Sequence, residues 1–168
     1  FLERVMKIKL LVPAIFLLMF SNFSFSQVED TLNSDLYSWL KSIPDIEVTA
    51  IKPDKIFSEA YEIFVTQPID HNNSDGPKFK QQIFLSHIDK EKPMVIDLDG
   101  YAVNNRTTEL SKILQCNQIM VEHRYFGESV PSPFDWKYLT IKQAADDHHR
   151  IIELFKDYYS GKWISTGI

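Results

Sequence analysis

Charged side chains are concentrated directly after a predicted buried strand, in the run Glu-His-Arg-Tyr-Phe-Gly-Glu-Ser at 122–129. Ligand crevices of open α/β sheets lie at the carboxyl ends of their strands, so this segment is a candidate for acid–base chemistry. Charges buried there also need partners, because an unpaired buried charge is costly. We favour a structural ion-pair cluster, in which Arg124 pairs with Glu122 or Asp99 and fixes the loop, over direct catalysis.

A second candidate is the run Asp-Leu-Asp-Gly-Tyr at 97–101, which ends the preceding predicted strand. In α/β-hydrolases the loop at this point donates one backbone N–H to the oxyanion hole. Gly100 would let the backbone approach a tetrahedral oxygen, and the N–H of Tyr101 would be the donor. A plain strand-to-loop turn explains the same residues equally well, so both interpretations stay open.

Asp146 and His149 suggest a metal site, because residues at i and i+3 share one face of a helix. Two helical ligands without a third from elsewhere in the chain are nevertheless a weak metal signal. We favour a hydrogen-bond network on the flank of the helix, with His148 on its core side. We therefore predict no metal site.

Composition excludes several other kinds of chemistry. Gly occurs five times and never as Gly-x-Gly, so the phosphate-binding loops of nucleotide enzymes are absent. The single Cys116 excludes an internal disulfide, a Cys-based zinc site and an iron–sulfur cluster, and we expect it to be a small buried apolar residue. A net charge of −5 without a basic run argues against nucleic-acid binding. We predict no cofactor and no nucleic-acid partner.

The elements that must position these residues alternate between strands and helices. Apolar periodicity predicts a helix over 30–41, and a polar, Pro-containing connector follows to about residue 58. From there the pattern predicts strand, strand, strand, helix, strand, helix and strand over 61–66, 82–88, 94–98, 109–114, 119–121, 141–158 and 163–166. The first two strands should form an antiparallel hairpin, and the short apolar runs after them are typical of buried parallel strands.

A hairpin that leads into βαβαβ is the opening of an α/β-hydrolase sheet. We therefore assign 27–58 to an N-terminal helix with its connector, and 59–168 to the N-terminal half of an α/β-hydrolase catalytic domain. Thr140 and Gln143 form a predicted capping box at the start of the last helix. The expected apolar face of that helix comprises Ile141, Ala144, Ala145, His148, Ile151, Ile152, Phe155 and Tyr158.

Gly167 and Ile168 follow the last predicted strand, where a Gly-x-Ser-x-Gly turn carries the nucleophile of α/β-hydrolases. Gly167 is thus the expected first residue of that nucleophile elbow. The serine that would follow is not among these 168 residues, so we assign no catalytic residue. We expect the chain to be truncated at the elbow.

The first 26 residues are predicted to be a leader rather than part of the fold. Residues 1–5 precede Met6 and resemble translated upstream codons, and two lysines then precede an apolar run at 10–20. That run is too short to span a bilayer, which takes about 20 apolar residues. A small-x-small pattern predicts cleavage between Ser26 and Gln27. We expect a secreted or periplasmic protein with no stable membrane anchor.

Five sequence blocks, in this order along the chain, resemble a known family. They are Gln-Pro-Ile-Asp-His at 67–71, Phe-Lys-Gln-Gln at 79–82, Glu-His-Arg-Tyr-Phe at 122–126, and two longer blocks at 136–150 and 161–167. They are similar to the secreted bacterial tripeptidyl-aminopeptidases, peptidase family S-37, from about residue 30 onwards. The Glu-His-Arg-Tyr-Phe-Gly-Glu-Ser run also resembles the related prolyl carboxypeptidase and dipeptidyl peptidase II family. The Asp-Asp-His-His-Arg run at 146–150 favours the first.

The resemblance implies a secreted serine peptidase with a Ser-His-Asp triad and no cofactor. Its substrates would be peptides that carry a free N-terminus, from which it releases short peptides, with tripeptides expected. It implies an oxyanion role for the loop of Gly100 and Tyr101 and an elbow role for Gly167, and it places the triad beyond this sequence. Two other functions stay open. One is a secreted α/β-hydrolase esterase, and the other is a non-catalytic exported binding module.

Overall fold

The structure is a computed structural model and describes residues 34–167, so the predicted leader and its cleavage site lie outside the described residues. The chain divides into two units, Phe1–Trp39 and Leu40–Ile168. Helix α1, Asp35–Ser42, covers the boundary between them and confirms the helix predicted there. The other described elements belong to the second unit.

Six strands and two further α-helices make up this second unit. The strands are β1 (Ile46–Ile51), β2 (Glu59–Pro68), β3 (Lys78–His87), β4 (Met94–Asp97), β5 (Asn117–Val121) and β6 (Trp163–Thr166). The helices are α2 (Glu109–Leu114), between β4 and β5, and α3 (Ile141–Phe155), between β5 and β6. A short 3-10 helix, Trp136–Tyr138, precedes α3.

The strands form one mixed sheet in the order β1-β2-β3-β5-β4-β6. β2 and β3 pair antiparallel along their whole length, from Glu59 opposite His87 to Pro68 opposite Lys78. β3 is antiparallel to β5, whereas β4 runs parallel to both β5 and β6. This arrangement confirms the predicted α/β class and the antiparallel hairpin that leads into βαβαβ.

The burial of the strands explains their positions in the sheet. Every residue of β4 and β5 is buried, as expected for parallel strands covered on both faces. β2 alternates over most of its length, with Tyr61, Ile63 and Val65 buried and the residues between them half-buried. Because β4, β5 and β6 run parallel to one another, their carboxyl ends lie at the same edge of the sheet.

β1 lies in the connector that was predicted to follow the first helix up to about residue 58. Its sequence, Ile-Glu-Val-Thr-Ala-Ile, begins with half-buried residues that alternate with exposed ones, and it pairs antiparallel with β2 from Ile46 opposite Val65. Pro44 and Pro53 flank the segment and made it resemble a linker. The alternation is nevertheless typical of a half-buried edge strand.

Helix α3 begins as predicted at Thr140, whose hydroxyl accepts the N–H of Gln143. The predicted second hydrogen bond of the capping box, in which the Gln143 side chain accepts the N–H of Thr140, is wrong. The Gln143 side chain instead accepts the N–H of His71 and donates to the carboxylate of Asp70, 2.8 Å away in both cases. α3 is thereby tied to the β2–β3 loop at its first turn.

The predicted apolar face of α3 also needs correction. Ile141 is 92% exposed, whereas Asp147, which the pattern left off that face, is fully buried. Ala144, Ile151 and Phe155 are buried as predicted. The buried face of α3 is therefore rotated about the helix axis toward Asp147, which pairs with another buried residue. Between residues 34 and 167, no helix has both the length and the apolar character needed to cross a bilayer.

Candidate functional site

The loops after β4, β5 and β6 converge at the carboxyl edge of the parallel strands. The N–H of Leu98 donates to the carbonyl of Thr166 at 2.8 Å, which continues the β4–β6 ladder beyond β4. A Cβ placed on Gly167 would lie 2.8 Å from the carbonyl oxygen of Leu98, so this close approach of two backbones requires glycine. The expected elbow residue therefore lies directly beside the start of the predicted oxyanion loop.

The loop after β4 is held by backbone contacts to the end of β5. The N–H of His123 donates to the carbonyl of Tyr101 at 3.1 Å. The Tyr101 ring is 68% exposed and packs edge-to-face on Phe126, with 5.4 Å between ring centroids. A Cβ on Gly100 would meet nothing within 4 Å, so neighbouring described residues do not require glycine there. Its oxyanion role stays a prediction.

Glu122 is 1% exposed and directly follows β5 at this edge. One carboxylate oxygen, Oε2, accepts the N–H groups of Glu128 and Ser129 at 2.8 and 2.9 Å and the Ser129 hydroxyl at 2.7 Å. The other, Oε1, accepts the N–H of Val103 at 3.3 Å. Gly127 has φ +48, and a Cβ there would lie 2.0 Å from Oε1, so the turn closes around the carboxylate only because residue 127 is glycine.

The predicted pairing of Arg124 with Glu122 or Asp99 is wrong. The Glu122 carboxylate is satisfied by N–H and hydroxyl donors, and Arg124 pairs with Asp147 of α3 instead. Its Nε and Nη2 donate to the two oxygens of Asp147 at 2.7 and 2.8 Å, and both residues are fully buried. Two parallel N–H···O bonds of this kind are the strong, forked geometry of guanidinium–carboxylate pairs.

Arg124 also binds three backbone carbonyls, which makes it the hub of several elements. Nη1 donates to the carbonyls of Ile69 and Tyr138 at 2.9 Å, and Nη2 donates to that of Pro68 at 3.2 Å. The Nε2 of His71 lies 2.7 Å from an oxygen of Asp147. The β2–β3 loop, the 3-10 helix and α3 are thus joined through one buried cation, a structural role like the one predicted but with other partners.

Asp99 forms its ion pair with Arg106, which follows in the same loop, rather than with Arg124. Arg106 also donates to Asp97 at 3.3 Å. Burial raises the pKa of Asp97, the neighbouring Asp99 adds to the increase, and Arg106 opposes it. These three residues line a cavity of about 500 Å³ together with Thr107, Thr108, Glu109, Leu110, Ile113 and Thr166.

Asp146 and His149 are not brought to a common ligand position. Asp146 pairs with Lys142 at 2.6 Å, and His149 is exposed. His148 is half-buried, and burial lowers its pKa. Within residues 34–167, no three His, Cys, Asp or Glu side chains are grouped so as to hold a metal ion. Cys116 is buried, and burial raises the pKa of its thiol.

Sequence reasoning missed Asp147, Arg106 and Ser129. A carboxylate one turn before Ile151 on an apolar helix face was the available signal for Asp147, because such a residue needs a buried partner. The sequence indicated the role of Ser129 more weakly, because a serine at the end of a turn is common on protein surfaces. Nothing in the sequence pattern distinguishes Arg106 from other loop cations.

A known family matches most of the chain. Residues 30–168 match the family model described as PS-10 peptidase S37. The chain is 34% identical over 139 residues to the prolyl tri/tetrapeptidyl aminopeptidase of Streptomyces mobaraensis, covering 80% of this chain and 28% of that protein. It is 28% identical over 124 residues to the "Probable serine protease EDA2" of Arabidopsis thaliana, covering 65% of this chain and 24% of that protein.

Two solved structures of esterases also resemble the chain. The acetyl xylan esterase from Paenibacillus sp. R4 gives a TM-score of 0.49 at 13% identity, over 77% of this chain and 47% of that one. Acetyl xylan esterase 1 from Thermoanaerobacterium sp. JW/SL YS485 gives a TM-score of 0.49 at 12% identity, over 76% and 46%. The chain spans 28% and 24% of the two curated relatives named above.

Proposed function

Because the chain belongs to the PS-10 peptidase S37 family, we propose that it is the N-terminal part of a secreted serine aminopeptidase. The whole enzyme, called the full-length protein below, would release short peptides, with tripeptides expected, from free N-termini. The family match over residues 30–168 carries this proposal. The tri/tetrapeptidyl aminopeptidase name of the Streptomyces relative supports the length of the released peptide.

The proposed mechanism is acyl transfer. A serine that follows Gly167-Ile168, its proton taken by a histidine, would attack the peptide carbonyl. The peptide C–N bond would then break as the histidine gives that proton to the leaving amine, and water would hydrolyse the acyl-enzyme to release the short N-terminal peptide. The loop after β4 would stabilise the tetrahedral oxyanion, with the N–H of Tyr101 as one donor. Support comes from the contact between Gly167 and Leu98, which puts the expected elbow beside that loop. The catalytic serine, histidine and aspartate would all lie in the remainder of the full-length protein.

The activity is tested with the full-length protein and a panel of chromogenic substrates. We expect release of p-nitroaniline from a tripeptide p-nitroanilide with a free amine, and little from its N-acetylated form or from a single amino acid p-nitroanilide. An alanine variant of the serine that we propose to follow Ile168 is the matched control and should be inactive. Hydrolysis of p-nitrophenyl acetate without cleavage of any peptide would contradict the proposal and favour an esterase.

Secretion is a second part of the proposal and has its own test. The apolar run at 10–20 and the small residues before Gln27 support a cleaved leader. We expect N-terminal sequencing of the exported protein to begin at Gln27. Retention of the protein in the cytoplasm with an intact N-terminus would contradict this part alone.

A further inference from the structure

We propose that Glu122 is a positioning residue for the oxyanion loop, which we define as residues 99–103. Its carboxylate would fix the backbone of this loop relative to the carboxyl end of β5 and so set the direction of the Tyr101 N–H. This inference rests on the proposed function, since it assigns a purpose to a loop of the same site. It concerns a residue that need not touch the substrate.

The two oxygens of Glu122 face two different segments. Oε1 accepts the N–H of Val103 in the oxyanion loop, and Oε2 accepts three donors from Glu128 and Ser129 in the turn after β5. The carboxylate is thus a bridge between the two loops. The next residue along, His123, adds a second tie through its N–H to the carbonyl of Tyr101.

This bridge is itself anchored to the sheet. The N–H of Glu122 donates to the carbonyl of Gln82 at 3.1 Å, and the N–H of Gln82 donates to the Ser129 hydroxyl at 2.9 Å. Gln82 belongs to β3, a central strand of the sheet. Glu122 therefore connects the oxyanion loop to β3 in the middle of the sheet.

The oxyanion loop has little packing of its own to hold it. Tyr101 and Ala102 are exposed, as are the two asparagines that follow Val103. A Cβ on Gly100 would meet no other side chain or backbone of the described residues within 4 Å. The loop's side-chain contacts include the packing of Tyr101 on Phe126 and the ion pair of Asp99 with Arg106. The hydrogen bonds to the Glu122 carboxylate and from the His123 N–H join its backbone to the end of β5.

A carboxylate suits this position better than an amide. The four donors around Glu122 are N–H groups and a hydroxyl, and no ion pair of the described residues includes it. A glutamine side chain in its place would present one oxygen and one NH₂ group, so the donors of one segment would face another donor. Glu122→Gln therefore breaks one side of the bridge and preserves the shape of the side chain.

The test compares Glu122→Gln with Glu128→Gln in the full-length protein. Glu128 lies in the same turn, is exposed, and loses the same charge on substitution, which makes it a matched control. We expect kcat for the tripeptide p-nitroanilide to fall about 10- to 100-fold in Glu122→Gln, because small misplacements of catalytic groups have effects of that size. KM should change less than about twofold, and Glu128→Gln should keep both constants.

Two further readouts separate positioning from general destabilisation. Affinity for a tripeptide aldehyde, which forms a tetrahedral adduct, should fall in parallel with kcat, whereas affinity for the free tripeptide product should not. Hydrogen exchange should quicken in the peptide that contains 99–103 and stay unchanged in β3. Equal losses for aldehyde and product, or faster exchange throughout the protein, would overturn the proposal.

The outcomes also separate this inference from the proposed function. A wild-type protein without peptidase activity would contradict the proposed function, and hydrogen exchange would still decide whether Glu122 orders the loop. Wild-type kcat in a folded Glu122→Gln protein would refute the positioning role alone. If Glu122→Gln does not fold, Glu122→Asp keeps the charge but shortens the reach, and it should show the same selective loss of kcat and of aldehyde affinity. Wild-type values in Glu122→Asp would count against the proposal.

Discussion

Arg124 and Asp147 are fully buried, and burying two charges costs free energy that only good geometry repays. The pair meets this condition, because the guanidinium makes two bonds to the carboxylate and three to backbone carbonyls. His71 supplies a further contact to Asp147. Removal of one partner would leave the other charge buried without its counter-charge, which is strongly destabilising.

Asp147→Asn is therefore expected to lower the free energy of unfolding of the full-length protein by about 3 to 5 kcal/mol. Asp146→Asn is the matched control, because it removes a carboxylate from the adjacent position of α3, where the pair with Lys142 is largely exposed. That control should change stability by less than about 1 kcal/mol. Urea denaturation measures both values, and equal losses in the two variants would show that the buried pair is not special.

Gly127 gives a second prediction at this scale. Gly127→Ala puts a Cβ where the Glu122 carboxylate now lies and places alanine at φ +48, a left-handed conformation that costs about 1 to 2 kcal/mol. We expect a loss of stability of at least that size, measured by urea denaturation. Gly100→Ala is the control, since a Cβ there meets nothing within 4 Å. A smaller loss at Gly127 than at Gly100 would contradict this account.

Helix α3 and strand β3 each carry one histidine, His148 and His87, whose pKa is lowered by burial. We expect these two histidines to make the free energy of unfolding decrease at acidic pH. For His148 burial is the largest cause, Asp147 opposes it, and His123 and Arg124 add to the decrease. For His87 burial is again the largest cause, opposed by Glu59 and Asp89. Both histidines therefore favour the neutral form in the folded protein.

The sign of the pH effect follows from this. Below the ordinary histidine pKa of about 6.5 the unfolded chain binds more protons than the folded one, so stability falls as the pH decreases toward the lowered pKa. His148→Gln should flatten this slope in urea denaturation between about pH 5 and 7, whereas His149→Gln, at an exposed position of α3, should leave it unchanged. Identical slopes in His148→Gln and wild type would refute the assignment to His148.

The elements themselves were largely predictable, because apolar periodicity marks buried faces directly. β4, β5 and α2 lie close to their predicted positions, and Thr140 starts α3 as expected. β1 was missed because its alternation is short and two prolines flank it. The pairing of Arg124 was not predictable from one sequence, since a forked partner 23 residues away depends on how α3 is rotated.

At the scale of the whole molecule, the described sheet has two edges, β1 and β6. β6 pairs with β4 on one side, and its residues are half-buried or exposed. An open strand edge is a template for pairing with another chain. A strand added beside β6 in the proposed full-length protein would cover this edge.

A protein that comprises residues 27–168 alone is therefore expected to be inactive and to self-associate. Gel filtration over a range of concentrations should show a growing fraction of oligomers, and the tripeptide p-nitroanilide should not be cleaved. The full-length protein at the same concentrations is the control. A monomeric protein of residues 27–168 that cleaves the substrate would contradict two expectations. One is that the triad lies in the remainder of the full-length protein, and the other is that the open strand edge leads to self-association.

The hub at Arg124 has a consequence for synthesis on the ribosome. Its carbonyl partners at Pro68 and Ile69 are made before it, whereas its counter-charge Asp147 lies 23 residues later in the chain. At translation rates of roughly 5 to 20 residues per second, a nascent chain would carry this cation without its carboxylate for about 1 to 5 seconds. The buried pair can form no earlier than the synthesis of residue 147, so this part of the carboxyl edge is completed only after α3 has been made.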